Sequence, residues 1–179
     1  NLVSVGTIQP RKAQHLLVEI MKELDSLGIT SYIHILGKIK DKNYLIKLKQ
    51  AIHSSSLPDR IKIYGHVDNH LEFLKNADLL IHTSLSEGFP RVFREAMYAR
   101  LMIASFHFDG INSVLGSDCG IIVKYGEVEE LANRIKDVVY DENVKSEIIE
   151  NSYKLYLKKY SRKNYKRKIL ETFFEKTCY

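Results

Sequence analysis

Residues 79–97 read LLIHTSLSEGFPRVFREAM. Leu79–His82 is a short apolar run of the kind that makes a buried strand. It gives way to a polar loop with a glycine, and then to Val92, Phe93, Ala96 and Met97 at helical spacing. Pro90 suits the first position of a helix, so a helix is expected over Pro90–Arg100. A buried strand that feeds a helix through a loop is one half of a βαβ unit.

The same order recurs outward in both directions. Strands are expected at Leu2–Gly6, Tyr32–Leu36, Ile61–Tyr64, Leu101–Ser105 and Ile121–Val123. Helices are expected at Lys12–Leu27, Asn43–His53, Leu71–Asn76, Glu127–Val139, Glu142–Lys159 and Ser161–Phe174. Strands that alternate with helices need right-handed crossovers and a parallel sheet covered on both faces. The expected fold is therefore α/β: a Rossmann-like, doubly wound parallel sheet of six strands. The 179 residues allow one such domain, with 142–179 as C-terminal helices. Asn1 is not an initiator Met and already opens a strand pattern, so a cut at a domain boundary is expected.

Composition narrows the function classes. Hydrophobic residues are 45% and charged residues 27%, the mix of a globular protein. No apolar run reaches 18 residues, which argues against a spanning helix. Cys119 and Cys178 cannot build a disulfide framework, and a reducing, cytoplasmic compartment is expected. The net charge of +5 invites an anionic partner. Much of it sits in eight cations between Lys154 and Lys168, with no acid among them. The body before that run is close to neutral.

Ligands of doubly wound folds bind beyond the carboxyl ends of the strands, so the loops there hold the information. The first is Gly6-Thr7-Ile8-Gln9-Pro10-Arg11-Lys12. It is neither a dinucleotide fingerprint nor a P-loop. Arg11 and Lys12 are expected in the first turn of a helix, where the dipole disfavours cations. Either an anion sits between them and the helix end, or the turn is simply solvated. In the fourth loop, Gly88 is expected to give a tight turn, and the free amides around Phe89, Pro90, Arg91 and Val92 suit a pyrophosphate. Glu87 and Glu95 flank these amides, too far apart along the helix to share a proton or a metal. They suit two distant polyol groups on one phosphate-linked ligand. The plainer alternative pairs Glu95 with Arg91 and leaves Glu87 in solvent.

The stretch Glu87–Glu95 resembles the E-x7-E motif of the family 4 retaining glycosyltransferases of the GT-B fold. The first loop is similar to that family's V-G-R-x-x-x-x-K pattern. Ile35-Leu36-Gly37, Ile61-Lys62-Ile63-Tyr64-Gly65, Ala77-Asp78-Leu79-Leu80-Ile81-His82-Thr83-Ser84 and Cys119-Gly120-Ile121-Ile122-Val123 follow in the family's order and spacing. The resemblance covers nearly the whole chain. It implies the C-terminal, nucleotide-sugar-binding half of a GT-B enzyme, with the acceptor site on a separate N-terminal domain. The activity implied is transfer of a sugar from a nucleoside diphosphate sugar to an acceptor hydroxyl with retention, in bacterial surface polysaccharide synthesis. The isolated chain is expected not to catalyse transfer.

By resemblance, Lys12 binds the donor diphosphate and Glu87 the hydroxyls of the donor sugar, and these two are the expected catalytic pair. Gly88, Phe89 and Pro90 turn their backbone to sugar and phosphates, and Glu95 holds the ribose. The nucleobase is expected near Gly65-His66-Val67. Thr7 stands where the family has Arg, with Arg11 as a neighbouring cation. Arg100-Leu101-Met102-Ile103 replaces the family's G-x-P-V, and Ser113 stands where Glu is usual. No cofactor and no metal are expected, and the chain has no Asp-x-Asp pair.

The remaining features divide between function and packing. Of seven histidines, none has metal-ligand spacing; His66 and His82 are the ones considered for a role, with His107 a candidate on the acceptor side. The basic tail carries Tyr153, Tyr156, Tyr160, Tyr165, Phe173 and Phe174. Packing on the domain is its first reading, and peripheral contact with an anionic membrane its second. No nucleic-acid partner is expected. The competing functional reading is an inactive GT-B-like binding or scaffolding module, favoured by Thr7, Met102 and Ser113. Retention of Lys12, Glu87 and Glu95 favours the enzyme.

Overall fold

The computed structural model describes residues 1–161 and Asn164. Among the described residues six strands form one sheet: β1 (Leu2–Val5), β2 (Ile33–Leu36), β3 (Ile61–Gly65), β4 (Leu79–His82), β5 (Met102–Phe106) and β6 (Ile121–Val123). Each lies within one residue of its expected bounds. The helices are α1 (His15–Ser26), α2 (Lys42–His53), α3 (His70–Asn76), α4 (Arg91–Tyr98), α5 (Ile111–Val114), α6 (Val128–Tyr140) and α7 (Glu142–Lys159). The helix expected over Ser161–Phe174, with its cations and aromatics, lies outside the described residues. Among the described residues no helix is long and apolar enough to cross a membrane.

Every strand pairing is parallel, and the strand order is β3-β2-β1-β4-β5-β6. The chain winds one way from β1 and the other way from β4. A crevice therefore opens between the loops that leave β1 and β4, the switch point of a Rossmann-like sheet.

Alternation along the strands builds two cores. Leu2, Leu79, Ile81, Met102 and Ala104 point to one face, where they pack with α1, α2 and α6. Val3, Leu80 and Ile103 point to the other, against Leu74 of α3, Phe93 and Met97 of α4, and Ile111 of α5. Strands buried on both faces must read as continuous apolar runs, which is why they are so visible in the sequence.

Three expectations change. The first helix does not start at Lys12. Pro10–Lys12 is a separate 3-10 turn, and Ala13 has a left-handed backbone (φ 47°), so α1 starts only at His15. Arg11 and Lys12 therefore do not sit on the α1 dipole. Pro90 does not occupy the first position of α4 either. It is the extended residue that caps the helix (φ −72°, ψ 99°), and Arg91 is the first helical residue. The Gly110 loop contains a four-residue helix, α5, too short to show a period in the sequence.

Gly37 explains how the first loop is set. A Cβ at this position would lie 1.8 Å from the Gly6 carbonyl oxygen. Only glycine lets the loop after β2 run so close under Gly6, whose N–H donates to the Leu36 carbonyl at 2.9 Å.

Candidate functional site at the switch point

A cleft of ≈ 330 Å³ opens at the carboxyl ends of β1 and β4. Gly6 and Lys12 enter it from the β1 loop, Glu87, Phe89 and Pro90 from the β4 loop, and Arg91, Val92 and Glu95 from α4. Val5, His70 and His82 complete the wall. A cavity of similar size, ≈ 380 Å³, touches Asn1 and Ala77. Those residues precede β1 and β4, so that cavity lies toward the wrong end of the sheet for a ligand of this fold.

The two loops are tied together below the cleft. Leu85 N–H donates to the Arg11 carbonyl at 2.9 Å, and Thr83 Oγ1 donates to the Lys12 carbonyl at 2.8 Å. The Arg11 guanidinium donates to the Ser86 carbonyl. Above these contacts Lys12 Nζ bonds Glu87 Oε1, and Arg11 lies 3.7 Å from Glu87 Oε2. Glu87 is thus a largely covered ion-pair member, its side chain 9% exposed, and not a solvated loop residue.

Burial opposes the Glu87 charge, but contacts from His82, Lys12 and Ser84 outweigh it, so the carboxyl is held well below the usual carboxylate range. His82 is the last residue of β4 and is buried edge-on against Phe93, with ring centroids 5.0 Å apart. Its burial lowers its pKa against the opposing pull of Glu87, so the ring is neutral near pH 7. Its Nε2 lies 3.3 Å from Glu87 Oε1 and makes no hydrogen bond among the described residues.

The helix end lies between the two carboxylates. Pro90 has no N–H, and Phe93 N–H donates to the Pro90 carbonyl at 3.0 Å. The N–H groups of Arg91 and Val92 are left as the open donors of the first turn, on the cleft. Glu95, one turn further, does not pair with Arg91. Its Oε2 meets His70 Nε2 at 3.0 Å. An anion-seeking end and two carboxylates along one cleft can hold a ligand with a phosphate centre and hydroxyl groups on both sides.

Other expected residues stand apart from this wall. Thr7 Oγ1 accepts from Gln9 Nε2 at 2.9 Å. Gly88 has no positive φ, and a Cβ there would meet nothing within 4 Å, so the turn itself does not demand glycine. His66 and Val67 follow β3 outside the cleft wall, with His66 Nε2 3.3 Å from Asp68. His70 went unnoticed in the sequence because a single histidine at a helix start carries no spacing signal; its position directly after the β3 loop was the available clue. Among the described residues no group of three or more His, Cys, Asp and Glu is placed to hold a metal ion.

Solved structures share this architecture. A protein from Anabaena, Alr3699/HepE, solved in complex with UDP, superimposes with a TM-score of 0.87 at 23% identity, over 97% of this chain and 48% of that one. The C-terminal domain of a group 1 glycosyl transferase family protein (LpcC) from Francisella tularensis gives 0.74 at 18% identity, over 90% of this chain and 86% of that one. At these identities the likeness speaks for the fold, which is that of the GT-B glycosyltransferases. Among curated proteins, the capsular polysaccharide biosynthesis glycosyltransferase CapM of Staphylococcus aureus is 23% identical over 158 residues, 88% of this chain and 41% of CapM. The lipopolysaccharide core biosynthesis glycosyltransferase LpsE of Rhizobium meliloti is 24% identical over 162 residues, 90% of this chain and 46% of LpsE. The chain thus spans less than half the length of these curated relatives. The family model of group 1 glycosyl transferases matches residues 1–155, every strand of the sheet and both loops of the cleft included, and the chain belongs to that family.

Proposed function

We propose that the chain is the donor-binding half of a glycosyltransferase that moves a sugar from a nucleoside diphosphate sugar to an acceptor hydroxyl with retention, in the synthesis of a bacterial surface polysaccharide. One observation carries this reading: Lys12, the open amides of α4, Glu87 and Glu95 line a single cleft at the switch point. In this reading Lys12 and Arg11 neutralise the diphosphate, with the Arg91 and Val92 amides beside them. Glu87 accepts the sugar hydroxyls, Glu95 the ribose, and the Gly65–Val67 loop meets the base. The leaving diphosphate gathers negative charge as the glycosidic bond breaks, and these fixed cations and dipoles stabilise it without a metal.

The match to an excised C-terminal domain over 86% of its length supports assigning this chain to the donor side. The acceptor site then belongs to the other half. Named relatives in capsule, lipopolysaccharide and teichuronic acid synthesis support the pathway class. For the basic C-terminal run, contact with an anionic membrane is the second reading after packing on the domain, and liposome sedimentation with and without anionic lipid tests it.

Titration calorimetry with UDP, GDP and ADP is the direct test. The reading expects one of them to bind, and Lys12→Ala to weaken that binding by roughly tenfold or more, as loss of a charge-assisted hydrogen bond does. Thr7→Ala should change it little, since Thr7 offers no charge and its hydroxyl is bonded to Gln9. No binding of any of the three would favour the scaffolding module instead.

A further inference from the structure

His70 is the first residue of α3, and its ring crosses to α4 to meet Glu95, 25 positions later in the chain. Both side chains are about seven-tenths covered, at 30% and 27% exposure, and both line the cleft. A glutamate on a helix surface has three side-chain torsions and no reason to hold one orientation. Here one carboxylate oxygen, Oε2, is engaged by His70 Nε2 at 3.0 Å. Oε1 has no hydrogen-bond partner among the described residues, and Oε2 keeps a second acceptor site.

That leaves acceptor capacity on both oxygens of one fixed carboxylate. A vicinal diol is the group that fills both at once, one hydroxyl to each. We propose that His70 is a positioning residue for the nucleoside end of the donor: by holding Glu95 it presets the carboxylate for the 2′ and 3′ hydroxyls of a ribose. This rests on the donor-site reading above and adds to it the residue that sets ribose against deoxyribose. The benefit is preorganisation, since the torsional freedom of Glu95 is already lost before the ligand arrives. His70 does not touch the ligand through this route, so its effect is confined to the diol.

The test uses the tightest-binding of UDP, GDP and ADP, its 2′-deoxy counterpart and inorganic pyrophosphate, each titrated calorimetrically. The wild-type protein should prefer ribose to deoxyribose by about tenfold, the value of one good hydrogen bond to a charged acceptor. His70→Ala should lower that preference by roughly three- to tenfold while pyrophosphate affinity stays put. His70→Gln places an amide N–H at about the reach of Nε2 and should restore most of it. In a Glu95→Ala background, His70→Ala should cost nothing more. Equal loss for all three ligands, an undiminished ribose preference in His70→Ala, or additive losses in the double variant would each overturn the role of His70. Failure of the wild type to bind any nucleotide would instead overturn the donor-site reading, and this inference with it.

Discussion

Replacing Lys12 by methionine keeps most of the apolar stem and removes the charge. The side chain it leaves behind is Glu87, which is 9% exposed and otherwise has Arg11 at 3.7 Å, Ser84 and the neutral ring of His82. Breaking a buried ion pair by removing one partner costs roughly 3–5 kcal/mol, because the other charge is stranded. The cleft is open on one side, and solvent screening brings the expected loss down to about 2 kcal/mol at pH 7.

The pH dependence identifies the cause. In the folded wild type the Glu87 carboxyl is held below its ordinary value of 4.5. The stability it contributes is therefore present above pH 4.5 and drains as pH falls toward the folded value. Without Lys12, burial is opposed by less, the folded value rises, and there is less to drain. The gap between wild type and Lys12→Met should close by about 1 kcal/mol between pH 5 and pH 3. Urea unfolding followed by circular dichroism at several pH values measures it, with the denaturant slope as a check that the unfolded state has not changed. A gap that stays constant, or widens toward pH 3, would show that the loss comes from packing and that the ion pair is not its source.

Further expectations follow from other contacts. Since Glu87 neutralises Lys12 in the free protein, Glu87→Gln should raise affinity for inorganic pyrophosphate by about two- to fivefold, and weaker binding by calorimetry would refute the competition. Gly37→Ala forces a Cβ to within 1.8 Å of the Gly6 carbonyl oxygen; a loss of roughly 3 kcal/mol, or about 6–10 °C in Tm, is expected by thermal unfolding, and an unchanged Tm would refute the close approach. Arg100 has a left-handed backbone (φ 56°) but also pairs with Glu150 at 2.7 Å and lies 3.9 Å over the Tyr153 ring. Arg100→Ala keeps the strain and loses both contacts, so its Tm should fall below that of Arg100→Gly, which relieves the strain; the reverse order would be evidence against it.

Where burial on both faces wrote a run of apolar residues, the element was readable: Leu79–His82 and Ile121–Val123 coincide with their expected bounds. Where a single backbone conformation decides the boundary, it was not. Nothing in the residue type marks Ala13 as left-handed, so the break that puts Lys12 in a separate turn was invisible. Arg100 is the counterexample that explains itself. The family's glycine would take this left-handed position without strain, and the arginine found there is held by Glu150 and Tyr153 of α7, a partner fifty positions away.

The site divides along the same line. The loops that could carry it were legible, because a doubly wound sheet allows few places for a ligand. Their meeting was not, because it depends on strand order. With β1 beside β4, Lys12 and Glu87 become neighbours across 75 positions of sequence. Had β1 paired elsewhere, the same residues would be a solvated cation and a solvated acid. The adjacency also changes what the pair means chemically. In the proposed reading, Glu87 and Lys12 are not two independent ligand contacts but one ion pair that an incoming diphosphate would have to open. In that exchange the anion would take the lysine and release the carboxylate toward sugar hydroxyls. A phosphate-free sugar would gain no such opening, so on this reading the ion pair by itself disfavours free sugars relative to their nucleotide-linked forms.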